Sequence, residues 1–456
     1  MSFKRYSTYK ASGVKWLDVV PSHWEMKRLR YVAALNPPRS EVSDLPGSMP
    51  VSFLPMELIG DDGTLRLLNE KKLDDIGTGY SYFREGDITI AKITPCYENG
   101  KGALMQGLVN GIGFGTTELI VVRPNPELAS GAFLHYLFNS SEFRKLGEGQ
   151  MYGAGGQKRI PDTFVRDFKA ALPPLVEQGA IVDFLDRETA KIDVLVAEQQ
   201  RLVELLEEKR QAVISHAVTK GLNSEAAMND SGIKWLGEVP AHWKVVCVRR
   251  IIERFEQGWS PDCLGFSAEE GSWGVLKSGC VNWGVFNENE NKALPESLEP
   301  IPALEVRAGD VLMSRASGSP ELIGSVAYVY STRPALMLSD KIFRLHPSPS
   351  INPEYLVAVF NSTCVRAQIV SSISGAEGLA NNLSQASIKS FYLVLPPRDE
   401  QAAIIAFIKQ EVALLDRLSE ETKRAIATLQ ERRCALISAA VTGQIDVRTP
   451  VEALAV

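Results

Sequence analysis

Two histidines sit in the same chemical setting. His23 and His242 each stand between a proline–small pair and a tryptophan, in "PSHW" and "PAHW". A recurring histidine suits a metal site or acid–base work. Both need partners, and no Cys, Asp or second His recurs beside these two at ligand spacing. Read from their neighbours, they are packed residues that each donate one hydrogen bond. The cysteines Cys96, Cys247, Cys263, Cys280, Cys364 and Cys434 are scattered with no CxxC pair, which speaks against a zinc site and against a disulfide framework. No GxxxxGK[ST], HExxH or GxSxG occurs. "GIGFG" at 111–115 lacks a properly spaced third glycine, a leading strand and a following helix, so it is not read as a cofactor loop.

"NPPR" at 36–39 invites another comparison. Amino-methyltransferases carry Asn-Pro-Pro-aromatic, whose ring stacks on a flipped base. Here Arg39 replaces the ring, and no glycine-rich S-adenosylmethionine loop accompanies it. The segment reads as a loop, and nothing in the chain supports catalysis.

The elements that would position any site are written twice. "SGVKWLDVVPSHW" at 12–24 returns as "SGIKWLGEVPAHW" at 231–243, with nine of thirteen positions identical. "LPPLVEQGAIVDFL" at 172–185 returns as "LPPRDEQAAIIAFI" at 395–408, and "EKRQAVISHAVT" at 208–219 as "ERRCALISAAVT" at 431–442, both at an offset of 223. Fainter echoes at that offset pair "REGDITIAK" (84–92) with "RAGDVLMSR" (307–315), and "TTELIVVRP" (116–124) with "SDKIFRLHP" (339–347). The chain is a tandem duplication. Each half runs from the tryptophan phrase through a variable domain to LPP-EQ and a long helix.

The helices follow from periodicity. Residues 177–219 contain no proline, and Ile181, Leu185, Ile192, Leu195, Leu202, Leu206 and Val213 form one apolar stripe, with Gly221 placed to cap the end. The second half repeats this over 400–441 through Ile404, Ile408, Leu415, Leu418, Ile426, Leu429 and Leu436. A lone helix of this length, roughly 60 Å at ~1.5 Å per residue, cannot bury its stripe. Two in one chain can bury each other as an antiparallel coiled coil. The variable parts hold β-rich runs (87–93, 118–124, 310–316, 325–331, 341–347) and helical spacing in 130–146 and 352–369. No regular βαβ alternation appears. The fold class is therefore α+β: a pseudo-twofold duplication of two α+β domains with two long helices.

Composition sets wide bounds. The chain has 456 residues, 45% of them hydrophobic and 23% charged, with a net charge of −6. That is ordinary for a globular protein of two or three domains. No apolar run reaches the length of a membrane span, and the opening residues lack a signal-peptide core, so a reduced cytoplasm is the expectation. The charge total speaks mildly against nucleic acid as a partner but can hide a basic face.

Duplicated halves, paired long helices and divergent domains between near-identical phrases resemble the DNA-specificity subunit of type I restriction–modification systems. "GVKWLDVVPSHW" with "GIKWLGEVPAHW", and the doubled LPP, EQ and long helix, carry the resemblance over essentially the whole chain. "FGTTELIVVRP" at 114–124 is similar to a strand segment of that family's recognition domains. The resemblance implies these boundaries: framework segment 1–24, target recognition domain 25–175, spacer helix 176–221, linker and framework 222–243, second recognition domain 244–397, spacer helix 398–443 and tail 444–456. It implies that each domain reads one half of an asymmetric bipartite site in double-stranded DNA, about one helical turn or ~34 Å apart. The helices would set the spacer. This chain would hold no cofactor. Two modification subunits would methylate adenine with S-adenosylmethionine, and two restriction subunits would use ATP and Mg2+ to cleave DNA. The alternatives are a fused methyltransferase and a coiled-coil adaptor that binds proteins only.

Base edges and phosphates are contacted by Arg, Lys, Asn, Gln and Ser on loops and helices. In the first domain the candidates are Lys92, Tyr97, Asn99 and Lys101 in "AKITPCYENGKG", and Gln157, Lys158 and Arg159 in "GAGGQKR". At offset 223, Lys92 falls on Arg315, and Lys158 and Arg159 fall on Asn381 and Asn382. Lys277, Ser314 and Lys341 complete the set. Matched positions with different side chains suit two readers of different sequences.

Overall fold

The computed structural model describes residues 3–154, 156–373 and 381–448. The chain divides into two units: residues 1–200 with 424–456, and residues 201–423. The helices that matter here are α1 (Gly131–Phe138), α2 (Ser141–Glu148), α3 (Leu175–Lys220), α4 (Pro353–Phe360), α5 (Thr363–Ser372) and α6 (Arg398–Val441). Each unit thus takes the start of one long helix and the end of the other.

In the first unit, Ala33–Leu35, Leu119–Pro124, Ile88–Ala91 and Gly102–Leu104 form an antiparallel sheet in that order. The β-rich runs that suggested strands at 87–93 and 118–124 pair here, Ile88 opposite Val122 and Ala91 opposite Leu119. A second sheet sets Ile112–Gly115 parallel to Pro50–Leu54 and antiparallel to Ser81–Arg84. "GIGFG" therefore lies in a strand. Its Gly113 lies against the Phe83 ring, where a Cβ would clash.

The second unit repeats this plan. Its antiparallel sheet runs Ile252–Gln257, Ile342–Pro347, Val311–Ser314, Val326–Tyr328. Val311 opposes Leu345 and Ser314 opposes Ile342, which is the first unit's register at offset 223. The helical spacing at 130–146 and 352–369 is realised as two helices in each unit rather than one. Asn139 and Asn361 end the first of each pair. Ser140 then accepts a hydrogen bond from Phe143 N to start α2.

Within each unit the long helices run antiparallel and join the core. Ile181, Leu185, Ile437 and Ala440 share one cluster with Trp24 and Phe133; Ile214, Val218, Ile404 and Ile408 share another with Trp243 and Tyr355. Gly221, expected as a cap, has φ +77, a left-handed conformation in which glycine ends a helix without strain. The stripe read from sequence needs correction. Leu195, Leu202 and Leu418 are 45%, 41% and 41% exposed. The less exposed positions advance by alternating fours and threes, through Ile192, Val196, Gln199, Val203 and Leu206 on α3, and through Val412, Leu415, Ser419 and Thr422 on α6. This is the two-position seam of a coiled coil. The three exposed leucines stand one residue off it, about 100° around the helix. Among the described residues no helix is long and apolar enough to cross a membrane, and no group of three or more His, Cys, Asp or Glu could hold a metal ion.

Candidate nucleic-acid interface

The framework phrases form a duplicated clamp. The Trp24 indole Nε1 donates to Glu177 Oε1 at 3.0 Å, and His23 Nε2 lies 2.7 Å from Oε2. Trp243 and His242 hold Glu400 in the same way, both at 2.8 Å. The neighbouring glutamine caps the domain helix. Gln178 accepts from Ser130 N at 2.7 Å and donates to the Leu128 and Pro173 carbonyls. Gln401 accepts from Asn352 N at 2.7 Å and donates to the Ser350 and Pro396 carbonyls. The helix ends join in the same doubled way. Ser141 N donates to Ser438 Oγ and Thr363 N to Ser215 Oγ, each at 3.0 Å. HW, EQ and IS recur because each pairs the same polar groups in both units. The histidines are packing residues with one carboxylate partner each.

On this frame the sheets bring most of the candidate residues together. In the first unit Lys92 N donates to Glu118 O at 2.8 Å, and Ile160 N to Lys92 O at 2.9 Å. In the second, Arg315 N donates to Lys341 O and Leu383 N to Arg315 O, both at 2.9 Å. These are the same bonds at offset 223. Ile93 bridges Arg159, as Ala316 pairs with Asn382; Thr94 N donates to Lys158 O, as Ser317 pairs with Asn381. Lys92, Lys158 and Arg159 therefore share one locus, and Arg315, Lys341, Asn381 and Asn382 share its counterpart. The side chain of Asn381 lies outside the described residues, as does Gly155 of the 153–159 loop.

Each locus carries a charged carboxylate among bases. Arg159 grips Glu118 through two bonds, 2.9 Å from Nε and 2.8 Å from Nη2. That grip holds the Glu118 carboxyl below its usual range, and the Lys92 charge adds to the effect. Burial raises the Asp340 carboxyl, but hydrogen bonding from Ser260 and the charges of Lys341 and Arg315 outweigh it. The Arg315 guanidinium lies 5.4 Å from the Phe343 ring centre, and its buried Nε has no hydrogen-bond partner among the described residues. Lys158 and Gln157 are exposed, as are Asn99 and Lys341. Lys92 also lines a cleft of about 320 Å3 with Asn36, Arg39, Tyr80 and Thr117. The "NPPR" segment there is a loop up to Arg39, which opens a short 3-10 helix, Arg39–Val42. Asn36 Oδ1 accepts from Val121 N, and Arg39 donates to the Gly77 and Ile76 carbonyls.

Two candidates are buried, and two others make local contacts of their own. Tyr97 is fully buried, and its hydroxyl donates to Phe143 O at 3.1 Å, with burial raising its ionisation well above a free phenol's. It anchors the 91–102 loop and cannot touch a ligand there. Ser314 is fully buried in its strand. Lys101 reaches back to Met56 O at 3.3 Å. Lys277 follows the strand Gly274–Leu276, which pairs with Asn291–Ala293 and Leu336–Met337 in a second sheet of that unit, and faces Glu290 at 3.9 Å. Sequence reasoning missed Thr94, whose hydroxyl accepts from Lys158 N at 3.1 Å, its counterpart Ser317, and exposed Tyr152, which pairs with Arg159 through the backbone. The offset of 223 points from Thr94 to Ser317.

No family model matches the chain. The specificity subunit of the type I restriction enzyme EcoEI from Escherichia coli is 30% identical over 501 residues, spanning 92% of this chain and 83% of its own. That of EcoAI, also from Escherichia coli, is 43% identical over 188 residues, 41% of this chain and 31% of its own. Among solved structures, a chain from a study of complex assembly and conformational transition in the type I R-M system has the same fold. It has a TM-score of 0.70 at 18% identity and covers 93% of this chain and 99% of its own.

Proposed function

The chain belongs to the type I restriction enzyme specificity subunits, and on that premise we propose that it reads double-stranded DNA for a complex whose chemistry resides on other subunits. Residues 25–175 and 244–397 are the two readers. The observation that carries this is the doubled locus: one backbone arrangement presents Lys92, Lys158 and Arg159 in one unit and Arg315, Asn381 and Asn382 in the other. Like scaffolds with unlike side chains support two half-sites of different sequence, hence an asymmetric split motif.

The chain itself is non-catalytic and holds no cofactor in this reading. Its framework docks two modification subunits, which use S-adenosylmethionine, and two restriction subunits, which use ATP and Mg2+. The long helices set the spacer, and the work is done in the cytoplasm. With a net charge of −6, the isolated chain binds DNA weakly, and basic partners supply much of the affinity.

Methylome sequencing of cells expressing this chain with its modification subunit tests the reading. Methylated adenines in one split, asymmetric motif support it. A continuous or palindromic motif refutes the two-reader assignment. Exchanging residues 25–171 for those of a relative should change one half of the motif only.

A further inference from the structure

In the second unit, α4, α5 and the local parts of α3 and α6 enclose an open groove of about 710 Å3. Its floor is aliphatic, with Ile214, Val357, Ile405, Ile408 and Val412. Its rim carries Trp283, Tyr330 and Val370, which are 71%, 63% and 56% exposed. Trp283 is held at φ +59, a left-handed conformation that costs a bulky residue energy. An apolar hollow edged by exposed Trp and Tyr has the make-up of a protein-docking site.

The first unit contains the same groove, already filled. Ala132, His135 and Tyr136 of α1 and Asn139 at its C-terminal cap, with Asp186, Arg433 and Ile437, line a cavity of only about 270 Å3. They correspond, at an offset of 222 or 223, to Glu354, Val357, Ala358, Asn361, Lys409, Arg210 and Ile214, all of which line the larger groove. Two exchanges account for the difference. The Tyr136 ring occupies the space that Ala358 leaves open, and its hydroxyl donates to Asp186 Oδ1 at 2.6 Å. Lys409 stands where Asp186 would be. The charge around the groove changes sign as well. Asp62 and Asp186 outnumber Arg433 in the first, and Arg210, Arg366 and Lys409 outnumber Glu321 and Glu354 in the second. The second groove keeps Trp283, Tyr330, Glu321 and Glu354 around it, but at Ala358 and Lys409 it lacks the inner ring and the carboxylate that Tyr136 and Asp186 supply in the first.

We propose that the second unit's groove is a docking site for a segment of another subunit of the restriction complex, one that inserts an aromatic side chain next to a carboxylate. The ring lies on Ala358 and Ile408 between Trp283 and Tyr330, and the carboxylate meets Lys409 and Arg210. Lys409 now bonds Glu354 at 2.6 Å and lies over the Tyr330 ring, so its ammonium already marks the polar end of the groove. The proposal uses the family assignment to choose the complex and does not depend on which residues read DNA.

The test is photo-crosslinking in the assembled complex, with benzoylphenylalanine placed at Val370 and, as the control, at Gln106 of the first groove. Position 370 should crosslink to one partner segment in which Tyr, Phe or Trp adjoins Asp or Glu, and position 106 should not. Ala358→Tyr, which fills the groove as Tyr136 does, should lower the yield at least tenfold. Lys409→Glu changes charge without adding volume and should lower it similarly, which covers the case in which Ala358→Tyr does not fold. No partner crosslink, equal crosslinks at 370 and 106, a captured segment without that pair of residues, or a yield unmoved by Lys409→Glu would each overturn the proposal.

Discussion

Asp193 and Arg433 lie 240 positions apart in the chain, yet the guanidinium Nε is 2.8 Å from the carboxylate. Arg210 and Asp416 make the corresponding pair in the second unit at 3.4 Å. Both pairs mark one antiparallel register, but they are partly exposed. Such ion pairs contribute only ~0.2–1 kcal/mol. The register must be held by the apolar seam. Leu415→Ala is therefore expected to cost about 2–5 kcal/mol, because Leu415 is buried. Leu418→Ala, three residues on and exposed, should stay within about 0.5 kcal/mol of the parent. Denaturant unfolding followed by circular dichroism checks this, and equal costs would mean that the seam is misplaced.

The duplicated clamp should not be equally sensitive in its two copies. Glu177 is buried, whereas Glu400 is well exposed. Removing Glu177 strands the indole N–H of fully buried Trp24, a loss of about 1–3 kcal/mol for the unpaired donor. At Trp243, water can replace the lost carboxylate. Glu177→Ala should lower the unfolding midpoint clearly more than Glu400→Ala. A reversed order would show that the exposed copy carries the load.

How much of this was legible in the sequence depends on the kind of signal. The duplication, both long helices and the central strands were legible, because repeats and periodicity record burial faithfully over many residues. The 223-residue offset by itself matches Lys92 with Arg315. Side-chain direction was less legible. Tyr97 and Ser314 have residue types that suit DNA, but their local strands and loop turn them inward. Leu195 and Leu202 looked like core by type, but the coiled-coil seam selects position rather than size and takes Val196 and Gln199. Glu177 stands out in the sequence only as part of a phrase. Its role needs Trp24, 153 residues away, and no local pattern records such a pairing.

Burial separates two kinds of change among the proposed DNA-contacting candidates. Tyr97→Phe removes a hydroxyl that bonds only backbone carbonyls. It should cost about 0.5–1.5 kcal/mol of stability and leave the methylated motif unchanged. Arg315→Ala should keep the fold and cost ~1–3 kcal/mol of binding at one base position, with relaxed specificity there, if the guanidinium reads guanine. Binding assays on a panel of single-base variants, repeated across salt concentrations, distinguish the cases. A uniform loss with a shallower salt dependence would make Arg315 a phosphate contact.

His135 gives the first unit a built-in acid sensitivity. Burial is the main cause that lowers its pKa to about 4, and the positive charges of Arg144 and Arg433 add to it against Asp186. The unfolded imidazole takes up a proton near its ordinary value of ~6.5, which the folded one refuses. The unfolded state therefore binds more protons between those two values, so stability is full above about pH 6.5 and falls as the pH drops towards 4. By pH 5 the loss should be on the order of 2 kcal/mol. His135→Gln retains an amide to meet Asn139, the ring's hydrogen-bond partner, and does not titrate. The gap between unfolding midpoints at pH 7 and pH 5 should be smaller in that variant than in the parent. Carboxylates held low, such as Glu118, are present in both proteins and shift both alike. An unchanged gap would show that the imidazole is protonated in the folded protein.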